Sequence, residues 1–270
     1  MSRLSVIIIT KNEAANIEDC LRSVAFADEV IVLDSGSSDG TVEIARKLGA
    51  IVKVSDWSGF GPQKNKALAL ATGDWVLSLD ADERISPQLQ AEIQTVVKND
   101  GTGKDAWEIP RLTQFCGQWI HHSGWTPDYV LRLFRRGSAQ FSSDLLHERV
   151  VMADGGNSGR KVSVARLKSQ LLHFSFPTPA HHWRKVEQYS LLWAQQRHAA
   201  GKRTSMWRAA GAAFVTFIRS YFFRLGVLDG AMGFALCVAQ AQGAFAKYFT
   251  LYYLNKTAAA SHSVRTPRPE

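Results

Sequence analysis

The chain has 270 residues, 46% of them hydrophobic, with 32 Lys/Arg against 24 Asp/Glu and a net charge of +8. That is enough for one large α/β domain with an appendage, or for two small domains, around a packed core. The pI near 9.5 favours anionic partners: nucleotide phosphates, an acidic membrane surface or nucleic acid. The positive charge is scattered and forms no long Lys/Arg run, which argues against a nucleic-acid arm. Three cysteines in no metal-ligand spacing give no disulfide framework and fit a reducing cytoplasm.

Residues 4–10 read as a β-branched strand, entered so early that no signal peptide is expected. Residues 14–25 carry helical periodicity. Residues 29–33 form a second buried strand, and the polar, Gly-rich turn 34–40 opens a helix at 41–48. A third strand is predicted at 51–54, a helix at 62–71 and a fourth strand at 75–79. Ser86-Pro87 supplies an N-cap and a first-turn proline for a helix to about residue 97. This alternation predicts βαβ units in a parallel, doubly wound sheet.

Beyond residue 104 the pattern changes to short strands at 106–112, 130–134, 147–151 and 170–174, a mixed-sheet extension that completes the site. From residue 178 the chain reads helical, with segments near 179–200, 205–224 and 229–254. The small, polar stretch 257–270 is expected to be a disordered tail. The expected organisation is a catalytic domain at 1–176, a helical extension at 177–256 and that tail.

Asp80-Ala81-Asp82 closes the fourth strand. Carboxylates at i and i+2 on extended chain share one face, about 7 Å apart, and suit a divalent cation carrying a diphosphate. By itself the pattern reads equally as a solvated turn or a helix N-cap. The first strand ends in Thr10-Lys11-Asn12-Glu13 and the second in Asp34-Ser35-Gly36-Ser37-Ser38-Asp39-Gly40. Three strand ends thus deliver polar groups to one sheet edge, the anatomy of a nucleotide site.

These three blocks, with Gln63-Lys64-Asn65-Lys66-Ala67 and Gly73-Asp74-Trp75 between them, resemble the inverting glycosyltransferases of family 2 over about residues 3–175. The narrower look, through Trp125-Thr126-Pro127-Asp128, Arg132-Leu133-Phe134-Arg135, His147-Glu148-Arg149-Val150 and Leu171-Leu172-His173, is similar to bacterial enzymes that add glucose to the inner-core heptose of lipopolysaccharide. The resemblance implies a GT-A fold: a Rossmann-like mixed sheet with helices on both faces, here followed by a C-terminal helical extension. It implies a metal-dependent transfer with inversion, from UDP-glucose to a lipid-linked saccharide, with Mg²⁺ or Mn²⁺ as cofactor.

Residue by residue, it implies that Thr10, Asn12 and Glu13 line the nucleoside pocket and that Asp34 and Asp39 hold or shape the uracil and ribose end. Lys64 lies near the donor, Asp80 reaches the ribose or a metal water, and Asp82 ligates the metal. Many members carry two adjacent acids after the second strand where this chain has Asp34-Ser35, so base recognition by a second acid is not carried over. His173 is a further metal ligand on this reading, or else a core histidine. Glu148 is the general base, with Asp144 and Asp128 as alternatives. Trp125 and Asp128 are candidate sugar contacts. Arg132 or Arg135 meets the diphosphate or an anionic acceptor while the other forms a charged outer face.

Residues 207–255 are strongly aromatic, with Arg208, Arg219, Arg224, Asp229 and Lys247 as the charged groups. The longest uncharged run, 230–246, is short for a spanning helix. The expectation is peripheral attachment at the cytoplasmic face of the inner membrane; packing against protein is the alternative. Rival functions are a family 2 transferase acting on polyprenyl phosphate or diacylglycerol, and a non-catalytic nucleotide-sugar sensor.

Overall fold

A computed structural model describes residues 1–142, 149–152 and 162–263. The first half alternates as the sequence predicts: β1 (Leu4–Thr10), α1 (Ile17–Ser23), β2 (Glu29–Asp34), α2 (Thr41–Lys47), β3 (Ile51–Val54), α3 (Phe60–Leu70), β4 (Trp75–Asp80), β5 (Glu83–Ile85) and α4 (Pro87–Lys98). Then come β6 (Ala106–Phe115), β7 (Gln118–Trp119), β8 (Asp128–Arg135), β9 (Ala139–Phe141), β10 (Val150–Met152), β11 (Val164–Arg166) and β12 (Leu171–Phe176). Three long helices follow: α5 (Pro179–Ala199), α6 (Met206–Ile218) and α7 (Gly230–Ser263).

The main sheet runs β3-β2-β1-β4-β8-β6-β12-β5. β3, β2, β1 and β4 are parallel, and β8 joins β4 antiparallel. This is the mixed, doubly wound GT-A arrangement expected from the sequence. Alternate β1 side chains enter two cores. Leu4, Val6 and Ile8 pack with α1 and α4 on one face, and Ile7 packs with Ala67 of α3 and Phe134 on the other. Both faces are covered, so the strand reads as a continuous apolar run with no alternation. α4 starts as predicted, with the Ser86 hydroxyl accepting from the Leu89 N–H and Pro87 at the first position.

The far edge of the sheet is tied by Glu29. Its carboxylate accepts from the Ser5 hydroxyl and from the Thr72 N–H at 2.6 Å. Burial pushes the Glu29 carboxyl upward, yet the hydrogen bonds from Ser5, Thr72 and Gly73 hold it below its ordinary value. Gly73 fits there because a Cβ would lie 2.7 Å from the Ser5 hydroxyl and 2.8 Å from the Arg3 carbonyl oxygen.

The chain divides into two compact units, Met1–Thr113 with Pro127–Phe174, and Gln114–Thr126 with the residues from Ser175 onward. The division at 174/175 falls beside the expected boundary, but segment 114–126 groups with the C-terminal helices, which the sequence pattern did not reveal. In that second unit Phe115, Ile120 and Leu236 form a small core with Trp125 and Phe176 against it, and α5 and α6 both pack on α7. α7 runs to Ser263, past residue 257 where a disordered tail was expected. Of the strand predicted at 147–151, Val150 and Val151 fall in β10, which pairs antiparallel with β9 in a separate two-stranded sheet; residues 147 and 148 lie outside the described residues.

Candidate active site

The ends of β2, β1 and β4 lie side by side, with Thr10 opposite Asp34 and Ile9 opposite Asp80 in register. The loop after β1 is bonded to the loop after β2. Thr10 Oγ1 donates to Asp34 Oδ2 at 3.0 Å. Asn12, in left-handed backbone at φ 57°, donates its N–H to Ser37 Oγ at 2.8 Å and accepts from the Ser38 N–H at 2.9 Å. The Glu13 N–H reaches Thr41 Oγ1 at 2.8 Å, and the Ala14 N–H reaches Asp39 Oδ2 at 3.0 Å.

Asp34 is buried, and its carboxylate also accepts the Gly36 and Ser37 N–H groups at 2.9 and 2.8 Å and the Ser37 hydroxyl at 2.5 Å. Asp39 is exposed, and its bond from the Thr41 hydroxyl holds its carboxyl below the ordinary value, helped by the Ala14 N–H. Both aspartates tie the loops together. Gln63 extends the network by donating to Ser35 Oγ at 3.0 Å.

A second network lies at the end of β4. Asp80 Oδ1 is 2.9 Å from Lys64 Nζ, and its Oδ2 is 2.6 Å from Arg132 Nη2. The same Arg132 nitrogen lies 2.6 Å from Glu83 Oε1, and Glu83 Oε2 accepts the Asp80 N–H at 3.0 Å. Arg111 stands 3.5 Å from Glu83 and clasps Asp128 Oδ2 through Nε and Nη2 at 2.9 and 2.7 Å. Glu83 is fully buried, so two guanidinium groups compensate its charge. Burial raises the Asp80 carboxyl, but Arg132 and Lys64 together hold it well below the carboxylate range. Burial opposes the charge on Arg132, and Asp80 and Glu83 outweigh it.

Asp82 stands apart from this cage. β4 ends at Asp80, so Asp82 sits in the turn into β5 and the two carboxylates do not share a strand face as the spacing alone suggested. Asp82 Oδ2 lies 3.4 Å from His173 Nε2, and the other ring nitrogen of His173 is 3.1 Å from Thr113 Oγ1. Thr113 therefore fixes the ring with Nε2 toward the carboxylate. The Asp82 carboxylate is the hard oxygen donor that Mg²⁺ and Mn²⁺ take, with several positions kept for phosphate and water, whereas the imidazole beside it is a donor Mg²⁺ seldom uses. Among the described residues no group of three or more His, Cys, Asp or Glu side chains could hold a metal unaided.

One expectation is corrected. Arg132 offers no outward guanidinium to a diphosphate or acceptor; it is buried between Asp80 and Glu83, because β8 lies beside β4 in the sheet interior. Trp125 is partly buried and packs against the aromatic core of the second unit, its ring 5.4 Å from that of Phe176 and 6.0 Å from that of Phe115. Asp128 is engaged by Arg111. Glu148 and Asp144 lie outside the described residues. Sequence reasoning missed Glu83, Arg111 and Thr113. The available signal was a charged residue, Arg111, breaking into an apolar strand, with Thr113 two positions on and so on the same face.

The family model for glycosyl transferase family 2 matches residues 5–166. An uncharacterized glycosyltransferase of Rickettsia prowazekii is 32% identical over 271 residues, covering 98% of this chain and 91% of the relative. A lipopolysaccharide core biosynthesis glycosyltransferase of Rhizobium meliloti is 31% identical over 237 residues, 81% of this chain and 80% of its own. Among solved structures, residues 1–349 of Staphylococcus aureus TarS superpose with a TM-score of 0.44 at 16% identity, over 95% of this chain and 92% of that one. A Mycobacterium tuberculosis glucosyl-3-phosphoglycerate synthase with Mn²⁺, UDP and glucosyl-3-phosphoglycerate superposes with a TM-score of 0.34 at 28% identity; the match covers 43% of this chain and 45% of that one. The family match over more than half of the sequence and relatives that align nearly end to end lead to one conclusion: this chain belongs to glycosyl transferase family 2 and is a glycosyltransferase.

Proposed function

We propose that the protein transfers glucose from UDP-glucose, with inversion, to an inner-core heptose of lipopolysaccharide at the cytoplasmic face of the inner membrane. The observation that carries the donor half is the convergence of three strand ends beside an oriented Asp82–His173 pair. The named role of the Rhizobium meliloti relative supports the acceptor half.

On this reading the loops at Thr10–Glu13 and Asp34–Asp39 hold the nucleoside, and Lys64 and Asp80 line the donor side. Asp82 and His173 are the metal ligands. A bound Mg²⁺ or Mn²⁺ would neutralise charge growing on the leaving diphosphate. Lys64 and Arg132 neutralise Asp80, and Asp82, 3.4 Å from His173, is the carboxylate assigned to the metal. The acceptor hydroxyl attacks C1 opposite the leaving group and needs a general base, the role assigned to Glu148.

The test is mass spectrometry of the core oligosaccharide from a deletion strain complemented with the wild-type or the Glu148→Gln gene. A core lacking one hexose on heptose, restored by the first gene alone, is the expected outcome. An unchanged core in the deletion strain would sink the acceptor assignment.

A further inference from the structure

The second unit exposes what the first unit buries. α6 continues as a π-helical turn at Arg219–Phe223, and a short 3₁₀ turn at Gly226–Asp229 leads into α7. Phe214, Phe222, Phe223, Leu225, Val227 and Leu228 are all exposed around this break, Phe223 at 79% and Leu228 at 63%. A run of large apolar side chains this dense on a surface marks an interaction site.

The break is built rigidly. Asp229 is buried, and its carboxylate accepts the N–H groups of His121 and His122 at 3.1 and 3.0 Å and faces His122 Nδ1 at 3.0 Å. Gly226 lets the turn press against α7: a Cβ there would lie 2.6 Å from Cys237 Sγ. The two arms, 206–223 and 226–258, are bent by 74° at the break. Among the described residues no single helix is long and apolar enough to cross a membrane, but this bent pair passes together.

Charge selects the occupant. Between residues 206 and 258 the charged groups are Arg208, Arg219, Arg224, Asp229, Lys247 and Lys256. The single acid is the buried Asp229, so every exposed charge on the segment is basic. Aromatic side chains interspersed with arginines, with no exposed acid, match the interfacial layer of an anionic bilayer.

We propose that residues 222–228 form the tip of a re-entrant wedge that inserts shallowly into an anionic phospholipid surface, with Arg219 and Arg224 on the headgroups. This deepens the membrane-face reading above and rests on it for the identity of the membrane. The experiment uses neither donor nor acceptor, so its failure is separable from failure of the transferase assignment.

The full chain is floated with vesicles of phosphatidylcholine alone or with about 30% phosphatidylglycerol added to give a negative surface potential. The expected result is flotation with the anionic vesicles, weakened by salt. Phe223→Glu and Leu228→Glu should each lower binding at least about tenfold, and Arg219→Gln about fivefold. The melting temperature should stay unchanged, since these side chains are exposed. Flotation of both glutamate variants like wild type would overturn the proposal. So would a chain that ignores vesicles but forms a dimer dispersed by Phe223→Glu, which would assign the face to a second copy.

Discussion

The two units break the usual burial rule in opposite directions. In the sheet unit, charged groups go inside: Glu83 and Arg132 are buried, and Asp80, Lys64, Arg111 and Asp128 close the network around them. In the helical unit, apolar groups stay outside, with Phe214, Phe223 and Leu228 bare. A buried charge is tolerable only when its partners are built into the fold, so the first unit carries its partners with it. An exposed phenylalanine costs folding little, so the second unit is free to keep a surface meant for something outside the chain.

Substitutions should expose this contrast. The largest effect is expected at Asp82, the proposed metal ligand. Asp82→Ala should lower turnover with UDP-glucose about 10³-fold while leaving the melting temperature within a degree or two. A large loss of stability would instead place Asp82 among the structural carboxylates. Next, Glu83→Ala removes the buried carboxylate that Arg132 and Arg111 share, leaving Asp80 and Asp128 as their partners, and should destabilise by about 3–5 kcal/mol in urea unfolding. Pairing Glu83→Leu with Arg132→Met should recover much of that loss, because the unpaired charge goes with its partner. If the double variant is as weak as Glu83→Ala, burial of charge is not the cause.

Thr113→Val frees His173 Nδ1 and should raise the Mn²⁺ concentration needed for half-maximal activity about 10-fold to 100-fold. An unchanged metal requirement would detach His173 from the metal. A smaller, pH-dependent effect is expected at Glu29. Its folded carboxyl is held below its ordinary value, so its contribution is complete above the unfolded value near 4.3 and is lost as pH falls through the lower folded value. Glu29→Gln should therefore flatten the acid limb of a stability–pH curve below about pH 4 and leave its shape above pH 6 unchanged. The smallest effect belongs to the helical unit: Phe223→Ser should move folding stability by no more than about 0.5 kcal/mol. Ile8→Ala, in the core of the sheet unit, should cost about 2–5 kcal/mol and calibrates the comparison.

Much of the sheet unit was legible because local pattern and tertiary role coincide. Val6-Ile7-Ile8-Ile9 is apolar throughout because both faces of β1 are covered, and Ser86-Pro87 opens a helix by its own chemistry. The short strands β5, β7, β9 and β11 were missed, since two or three residues carry no periodicity. Arg132 was misread: an Arg between leucines near the strand ends looks available to a ligand until Asp80 and Glu83, the neighbours that enclose it, are known. The carboxylates showed a related gap: Asp80, Asp82 and Glu83 stand within four residues, yet one is clasped by two cations, one faces an imidazole and one is buried under two guanidinium groups.

The βαβ alternation of the first half, the family, the loops that end in polar groups and the basic, aromatic character of the last helices were written in the sequence, since periodicity, turn residues and composition are properties of neighbours along the chain. Which cations neutralise Asp80 and bury Glu83, and that segment 114–126 packs with helices some sixty or more residues further on, were decided by the fold alone. Those outcomes depend on distances between β4, β6, β8 and β12 and on burial, and electrostatic energy follows separation in space and local solvation, not separation in sequence.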